Sequence, residues 1–208
     1  LIYAINALKT LKGQSINLIK TYQDIPNIEY LLKNNRKVTA KNKDSRTLDL
    51  GCGINPKNPF NAKKIYGIDI RDDLDKSIKS ADLSIDKIPF EDSFFDYVTA
   101  FDFLEHIPRS NFYKNKTIYP FLNIMNEIHR VLKPDGYFLH STPAFPSKEA
   151  FMDPTHVNII TEDTFPNYFC RPKLWAKEFG YGFQGDFKLI NQGWIKYAWV
   201  VSVIQAIK

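Results

Sequence analysis

Two closely spaced glycines and a later aspartate are the residues of this sequence whose types and spacing could do chemistry together. Gly51 and Gly53 follow the apolar run Thr47–Leu50, which is typical of a short buried strand. Asp69 ends the next apolar run, 18 residues after Gly51. A carboxylate there can accept hydrogen bonds from two vicinal ribose hydroxyls, while a glycine turn lets the backbone approach a ligand closely. The spacing therefore indicates a site for a cofactor that contains a nucleoside.

The segment after Gly53 narrows the class of cofactor. A dinucleotide site offers a helix N-terminus to the pyrophosphate, but Asn55-Pro56 stands where that helix would begin. A cofactor without phosphates fits better. Further along, Asp82 can accept a hydrogen bond from the exocyclic amine of adenine and Leu83 can pack on the ring, although an Asp at a strand end is usually a turn residue. Two other classes of protein fit the same residues. One is a nicotinamide-dependent oxidoreductase on a similar sheet, and the other is a non-catalytic cofactor-binding partner module.

The elements that must position these residues predict an α/β fold, because short apolar strands alternate with loops and helices. Five strands are expected over Thr47–Leu50, Lys64–Ile70, Ala81–Ile85, Phe95–Phe101 and Tyr137–Ser141. Helices are expected over Thr117–Leu132, Thr161–Phe169 and Lys173–Phe179. The last two strands, Phe187–Gln192 and Trp199–Ile207, are too close in sequence for a crossover helix and should pair antiparallel.

Length and composition set bounds on the class of protein. The 208 residues suffice for one domain with a substantial core, and 44% hydrophobic with 25% charged residues is ordinary for a globular protein. The most apolar stretch, Trp194 to Ile204, contains Lys196 and is too short to span a bilayer. Cys52 and Cys170 form neither a metal-ligand pattern nor a disulfide framework. A reduced, cytoplasmic protein is therefore expected.

Residues 1–46 are predicted to form a helical N-terminal extension in front of a domain at residues 47–208. Apolar residues recur there at helix spacing, interrupted by Gly13 and Pro26. The extension holds nine Lys and Arg against three Asp and Glu, and the whole chain has a formal charge of +5. A basic stretch can bind nucleic acid, but it is more often a solvated face, so a nucleic-acid partner is not expected. The oligomeric state is left open.

Six motifs, taken in order, resemble those of class I S-adenosylmethionine-dependent methyltransferases, in particular the type 11 group. They are LDLGCG, GIDI, ADL, IPFEDSFFDYV, FLEHI and VLKPDG, and the resemblance runs from about Thr47 to Ser141. It implies methyl transfer from S-adenosylmethionine by a Rossmann-like three-layer sandwich, with a mostly parallel seven-stranded sheet and an antiparallel last strand. It also implies the cofactor-binding residues, which are Asp49, Gly51, Gly53 and Asn55 towards the methionine end, Asp69 and Ile70 at the ribose, Asp82 and Leu83 at the adenine, and Phe101 near the substrate opening.

A second group of residues resembles a metal site. Asp102, Glu105 and His106, with the later His156, are similar to the E-x-x-E-H pattern and later His that hold a divalent ion in small-RNA 3′-terminal 2′-O-methyltransferases. Two carboxylates and two imidazoles could bind Mg²⁺ or Mn²⁺ and lower the pKa of a substrate hydroxyl. Without a metal, His106 or His156 could act as a general base, or the group could have only a structural role.

The two histidines favour an oxygen acceptor, whose proton must be removed, over a nitrogen that already carries a lone pair. Phe145-Pro146 and the segment Asp153–Asn158 also resemble bacterial methyltransferases encoded with surface-polysaccharide genes. The expected acceptor is therefore a hydroxyl of a small molecule or a glycan.

Overall fold

The computed structural model describes residues 22–33, 44–72 and 78–208. Ten strands follow one another along these residues: β1 Arg46–Leu50, β2 Lys64–Asp69, β3 Ile78–Ser80, β4 Phe95–Phe101, β5 Asn111–Tyr113, β6 Lys116–Ile118, β7 Leu132–Pro143, β8 Cys170–Arg171, β9 Phe187–Ile195 and β10 Trp199–Ala206. Eight of them form one sheet in the order β3-β2-β1-β4-β7-β10-β9-β8, and β5 pairs with β6 in a separate hairpin.

Strand direction in the main sheet agrees with the predicted fold class. β10 pairs antiparallel with β7 and β9, while every other described pair in this sheet is parallel. The prediction of seven strands was wrong by one, because the two-residue strand β8 adds an eighth at the far edge. A pairing of two residues carries almost no hydrophobic period, so it leaves little signal in a sequence. The mostly parallel Rossmann-like sheet with one antiparallel strand is confirmed.

The predicted third strand, Ala81–Ile85, was wrong. Asp82 closes a turn there, because its side chain accepts a hydrogen bond from the Ser84 N–H at 2.9 Å and its carbonyl accepts from Ile85 and Asp86. This local hydrogen bonding competes with a strand ladder. The strand that pairs with β2 is β3, which ends at Ser80, one residue before the predicted start.

Five helices are described: α1 Ile28–Lys33, α2 Pro120–Val131, α3 Glu149–Met152, α4 Thr164–Tyr168 and α5 Trp175–Glu178, with a 3₁₀ turn at Leu104–His106. α2 begins at Pro120, three residues after the predicted start, because β6 uses Lys116–Ile118; proline suits the first helical position. The apolar face of α2, including Ile124, Met125 and Ile128, is buried in the main core.

The described part of the N-terminal region packs against the sheet. Ile25, Leu31 and Leu32 are buried in a second core cluster, and the Ile25 N–H donates to the Trp194 carbonyl at 2.6 Å. The helix predicted around Ile28, Leu31 and Leu32 is observed as α1. The other parts of the predicted extension, residues 1–21 and 34–43, lie outside the described residues. The division at residue 46 stays a prediction.

Candidate functional site

The parallel strands β1, β2 and β4 bring their carboxyl ends to one edge of the sheet, which is where open α/β sheets bind ligands. β1 ends in a turn in which Gly51 and Gly53 both have a φ of 63°, a left-handed conformation that glycine adopts without strain. The Gly53 N–H donates to Asp69 Oδ2 at 2.8 Å. The glycine turn and the acidic end of β2 are therefore in direct contact.

Asp69 is held by a neighbour that the sequence analysis did not single out. Arg71 donates from Nε to Asp69 Oδ1 at 2.8 Å, and its backbone N–H reaches the same oxygen at 3.3 Å. The Arg71 hydrogen bond, with that of Gly53, holds the pKa of Asp69 below its usual value although partial burial opposes this. Asp69 is therefore ionised at neutral pH. A ribose that reaches this carboxylate must share it with Arg71 or displace the guanidinium.

A cavity of about 500 Å³ lies over the glycine turn. We call it the glycine cleft, and five of the nine predicted cofactor-binding residues line it: Gly51, Asp69, Ile70, Asp82 and Leu83. Phe103 and Thr155 line it as well. Neither was a predicted site residue, although both lie within motifs noted in the sequence, FLEHI and DPTHVN.

The other four predicted cofactor residues, Asp49, Gly53, Asn55 and Phe101, lie outside the lining of this cleft, although Gly53 contacts its lining residue Asp69. Asp49 is buried, with Thr99 Oγ1 donating to it at 2.7 Å and the Lys57 N–H at 2.8 Å. Burial raises the pKa of Asp49 to about 6. Phe101 is buried in the second core cluster with Lys57 Nζ 4.5 Å from its ring centre, and Asn55 is exposed in the loop. Through the hydrogen bond from the Lys57 N–H, Asp49 holds in place the segment that follows the glycine turn.

Residues 54–63, all within the described chain, contain no helix. This agrees with the expectation from Asn55-Pro56 that no phosphate-binding helix follows the first strand. Asn58 fixes the end of the loop instead, since its amide donates to the Ala62 carbonyl at 2.9 Å and accepts from the Ala62 N–H at 2.8 Å.

A second cavity, of about 520 Å³, adjoins the glycine cleft. We call it the histidine cavity, because His106 and His156 line it together with Glu105 and Trp199. Asp102 and His106 line both cavities, so a ligand in one would face a ligand in the other at these two side chains.

The two imidazoles meet edge to face, with ring centroids 4.9 Å apart. His106 Nδ1 lies 3.3 Å from the Thr155 carbonyl oxygen and 3.0 Å from Thr155 Oγ1. The Thr155 hydroxyl donates to Asp153 Oδ1 at 2.7 Å. Because a carbonyl oxygen can only accept, the proton of neutral His106 belongs on Nδ1, which leaves Nε2 able to accept a proton.

Glu105 is the buried acid of this group. It is 1% exposed, and Thr142 Oγ1 donates to its Oε2 at 2.8 Å. No described residue hydrogen-bonds to its Oε1, nor to the buried Nδ1 of His156. Burial raises the pKa of Glu105 to about 7.

Three of the four predicted metal ligands converge. One ligand atom from each of Glu105, His106 and His156 lies within 4.8 Å of the others. Asp102 is not part of this group, and its Oδ1 accepts a hydrogen bond from Trp199 Nε1 at 2.8 Å. The structure therefore gives the fourth predicted ligand a different partner, which the sequence could not indicate because Trp199 is 97 residues away.

The segment that carries His156 is fastened to the 3₁₀ turn that carries His106. The Glu105 carbonyl accepts from the N–H groups of Val157 and Asn158, each at 2.9 Å. The buried Asn158 side chain donates to the Leu104 carbonyl at 3.1 Å and accepts from Arg109 Nε at 2.8 Å. These contacts fix the relative position of the two histidines.

A sequence model of the methyltransferase domain family matches residues 24–174, well over half of the chain. The chain therefore belongs to this family and, with the fold described above, is a class I S-adenosylmethionine-dependent methyltransferase. No curated protein matches the chain. Membership of this family places its chemistry with methyl transfer and not with the nicotinamide alternative.

Solved structures share the fold. A methyltransferase from Aquifex aeolicus is 14% identical, with a TM-score of 0.54 over 97% of this chain and 98% of that one. PH0226 from Pyrococcus horikoshii OT3 is 19% identical, with a TM-score of 0.55 over 93% and 98%. A chain from the complex of a methyltransferase with the Haloferax volcanii activator Trm112 is 14% identical, with a TM-score of 0.54 over 86% and 90%. At these identities the likeness concerns the fold alone.

No helix among the described residues is long and apolar enough to cross a membrane.

Proposed function

We propose that S-adenosylmethionine binds in the glycine cleft, with its ribose at Asp69 and its adenine between Asp82 and Leu83. The supporting observation is that these side chains line one cavity of about 500 Å³ beside the left-handed glycine turn. The ionised state of Asp69 suits a group that accepts hydrogen bonds from hydroxyls.

We further propose that the enzyme methylates a hydroxyl of a small molecule or a glycan held in the histidine cavity. The observation that carries this proposal is the meeting of the two cavities at Asp102 and His106. The methyl group leaves a sulfonium that is already a good leaving group, so the protein has mainly to align donor and acceptor and to exclude water. A hydroxyl must also lose its proton, and this gives the histidines their role.

His106 is the proposed general base. Its Nδ1 is occupied by Thr155, so Nε2 can take the proton from the acceptor hydroxyl. The Asp153 carboxylate, linked to the ring through the Thr155 hydroxyl, stabilises the imidazolium that forms. His156 packs against the His106 ring, and its Nε2 lies 4.0 Å from Asp153 Oδ2. It is the second candidate for the same role.

The test is methyl transfer from radiolabelled S-adenosylmethionine to a panel of hydroxyl and amine acceptors. His106→Asn should lower turnover of a hydroxyl acceptor by about 10²–10⁴-fold while leaving S-adenosylhomocysteine affinity unchanged. His129→Asn serves as the matched control, because His129 lies on α2 and contacts the Ile207 carbonyl. Transfer to amines alone, or a His106→Asn enzyme as active as the parent, would contradict the proposal.

A divalent ion is a second candidate for activating the hydroxyl. Glu105, His106 and His156 fit it, because one ligand atom of each converges with the others. In addition, Glu105 Oε1 and His156 Nδ1 are buried without a hydrogen-bonding partner among the described residues. Two imidazoles with one carboxylate favour Mn²⁺ over Mg²⁺, which prefers oxygen ligands. A bound ion would lower the pKa of the acceptor hydroxyl.

The metal proposal has a readout that does not depend on activity. When Mn²⁺ is titrated into the protein, the electron paramagnetic resonance signal of free Mn²⁺ should fall in proportion to the amount of ion bound. Glu105→Gln should weaken this binding. Asp102→Asn is the matched control, since Asp102 lies outside the converging group. An undiminished signal of free Mn²⁺, together with turnover unaffected by EDTA, would refute the metal proposal and leave the histidines as the candidate bases.

The cytoplasmic location stays a prediction.

A further inference from the structure

The histidine cavity is acidic. Four acidic side chains line it, those of Asp102, Glu105, Glu149 and Asp153, and none of its lining residues in the described part of the chain is Lys or Arg. The chain as a whole has a formal charge of +5, so the acidity of the cavity does not follow from composition. Clefts lined by charges of one sign concentrate ligands of the opposite sign.

Some of these acidic side chains can still form hydrogen bonds or ion pairs with a ligand. Glu105, 1% exposed, is one of the lining residues, and its buried Oε1 has no hydrogen bond from any described residue. A buried polar atom in this state calls for a partner from outside the chain. Asp153 lines the cavity with its side chain 46% exposed, and within the described chain its Oδ1 accepts from the Thr155 N–H at 2.8 Å and from the Thr155 hydroxyl at 2.7 Å.

An aromatic ring stands beside the carboxylates. Trp199 lines the cavity, and its indole N–H donates to Asp102 Oδ1 at 2.8 Å, which fixes the orientation of the ring. A tryptophan face next to carboxylates attracts an ammonium group through both the ring quadrupole and the negative charges. The same face can pack on the apolar side of a sugar ring.

We propose that the acceptor is a positively charged hydroxyl compound, of the class of a sugar with a free amino group, and that anionic acceptors are rejected. This inference rests on the proposed function, because it takes the histidine cavity as the acceptor site. The ammonium group lies among Glu149, Asp153 and the Trp199 ring, and the hydroxyl faces His106. A carboxylate or phosphate on the acceptor meets like charges in the same space, which gives selectivity by repulsion as well as by attraction.

Binding to the complex with S-adenosylhomocysteine tests this without any turnover. Glucosamine, N-acetylglucosamine and glucuronic acid share one ring and differ in charge, and each is titrated in saturation-transfer NMR. Glucosamine should bind at least about tenfold more tightly than glucuronic acid, with a difference that shrinks in salt and in Glu149→Gln. Glucosamine that does not bind, or glucuronic acid that binds as well, would overturn the inference.

A cysteine reporter measures the charge preference independently of the acceptor's identity. Met152 lines the cavity and is 70% exposed, so Met152→Cys offers a thiol at its wall. A trimethylammonium methanethiosulfonate should react at least about tenfold faster than the sulfonate analogue, after correction for a small reference thiol. Peptide mass separates this site from Cys52 and Cys170, and equal or reversed rates would overturn the inference. A cation preference without methyl transfer to hydroxyls would instead contradict only the proposed function.

Discussion

The ring of Phe103 occupies the space that a side chain on Gly51 would need: a Cβ built on Gly51 would lie 2.5 Å from Phe103 Cδ2. The contact joins the turn after β1 to the residue that follows Asp102, and both Gly51 and Phe103 line the glycine cleft. A glycine is therefore needed here for two reasons, the left-handed backbone and the closeness of the ring.

Gly51→Ala should destabilise the fold and weaken cofactor binding. The Phe103 ring would have to move, and alanine would be strained in the left-handed backbone conformation. Gly180→Ala is a matched control, since Gly180 also has a positive φ but a Cβ added there would meet nothing within 4 Å. The control should lose about 1–2 kcal/mol, and Gly51→Ala about 1–3 kcal/mol more, in urea unfolding. Equal losses would show that Phe103 adjusts freely.

Asp69→Ala should weaken S-adenosylhomocysteine binding by about 10–100-fold, because hydrogen bonds to a charged acceptor contribute about 1.5–3 kcal/mol. Calorimetric titration measures this. Asp72→Ala is the control, as Asp72 is an exposed carboxylate three residues on that accepts from Ser80 Oγ at 2.8 Å. Retention of full affinity in Asp69→Ala would refute the proposed ribose contact.

The pKa of Glu105, raised by burial from 4.5 to about 7, predicts a pH-dependent stability. The folded state binds this proton more tightly than the unfolded state, so the stabilisation is fully present below pH 4.5 and is lost as the pH rises to about 7. Glu105→Gln should remove up to about 3 kcal/mol of this fall. Urea unfolding between pH 4.5 and 8 measures it, with Glu178→Gln on the exposed side of α5 as the control for loss of a charge. Parallel curves for Glu105→Gln and the parent would refute the prediction.

Asn158→Ala should lower turnover without changing cofactor affinity. The side chain joins Leu104 and Arg109, and its loss leaves buried groups unpaired at a cost of about 1–3 kcal/mol. Faster hydrogen exchange at residues 153–157 would report the released segment. Asn167→Ala, which removes only an exposed contact with Lys173, is the control, and an unchanged exchange rate in Asn158→Ala would count against the role of this contact.

The sequence was sufficient for the elements with a strong period or a sharp turn. β4 has the predicted bounds, and the glycine turn and Asp69 are adjacent as their types and spacing indicated. These features depend on local chemistry, since apolar alternation and glycine conformations act over a few residues.

The rest depends on contacts between residues far apart in the chain. Trp199 engages Asp102 across 97 residues, and Arg109 engages Asn158 across 49. No periodic pattern records such pairs, so neither the separation of Asp102 from the converging ligands nor the fastening of His156 could be inferred. The Asp82 turn was missed for the opposite reason, because a local hydrogen bond outweighed an apolar run.

In the proposed site, the pairing of Arg71 with Asp69 makes cofactor binding an exchange of hydrogen-bond partners at this carboxylate. Contacts with the guanidinium are traded for contacts with ribose hydroxyls, so the enthalpy gained at this position is only the difference between the two sets. When the ribose leaves, Arg71 can pair with the carboxylate again. In the proposed site, the ribose of the spent cofactor can therefore leave without exposing an unpaired carboxylate, and competition from Arg71 weakens retention of the cofactor.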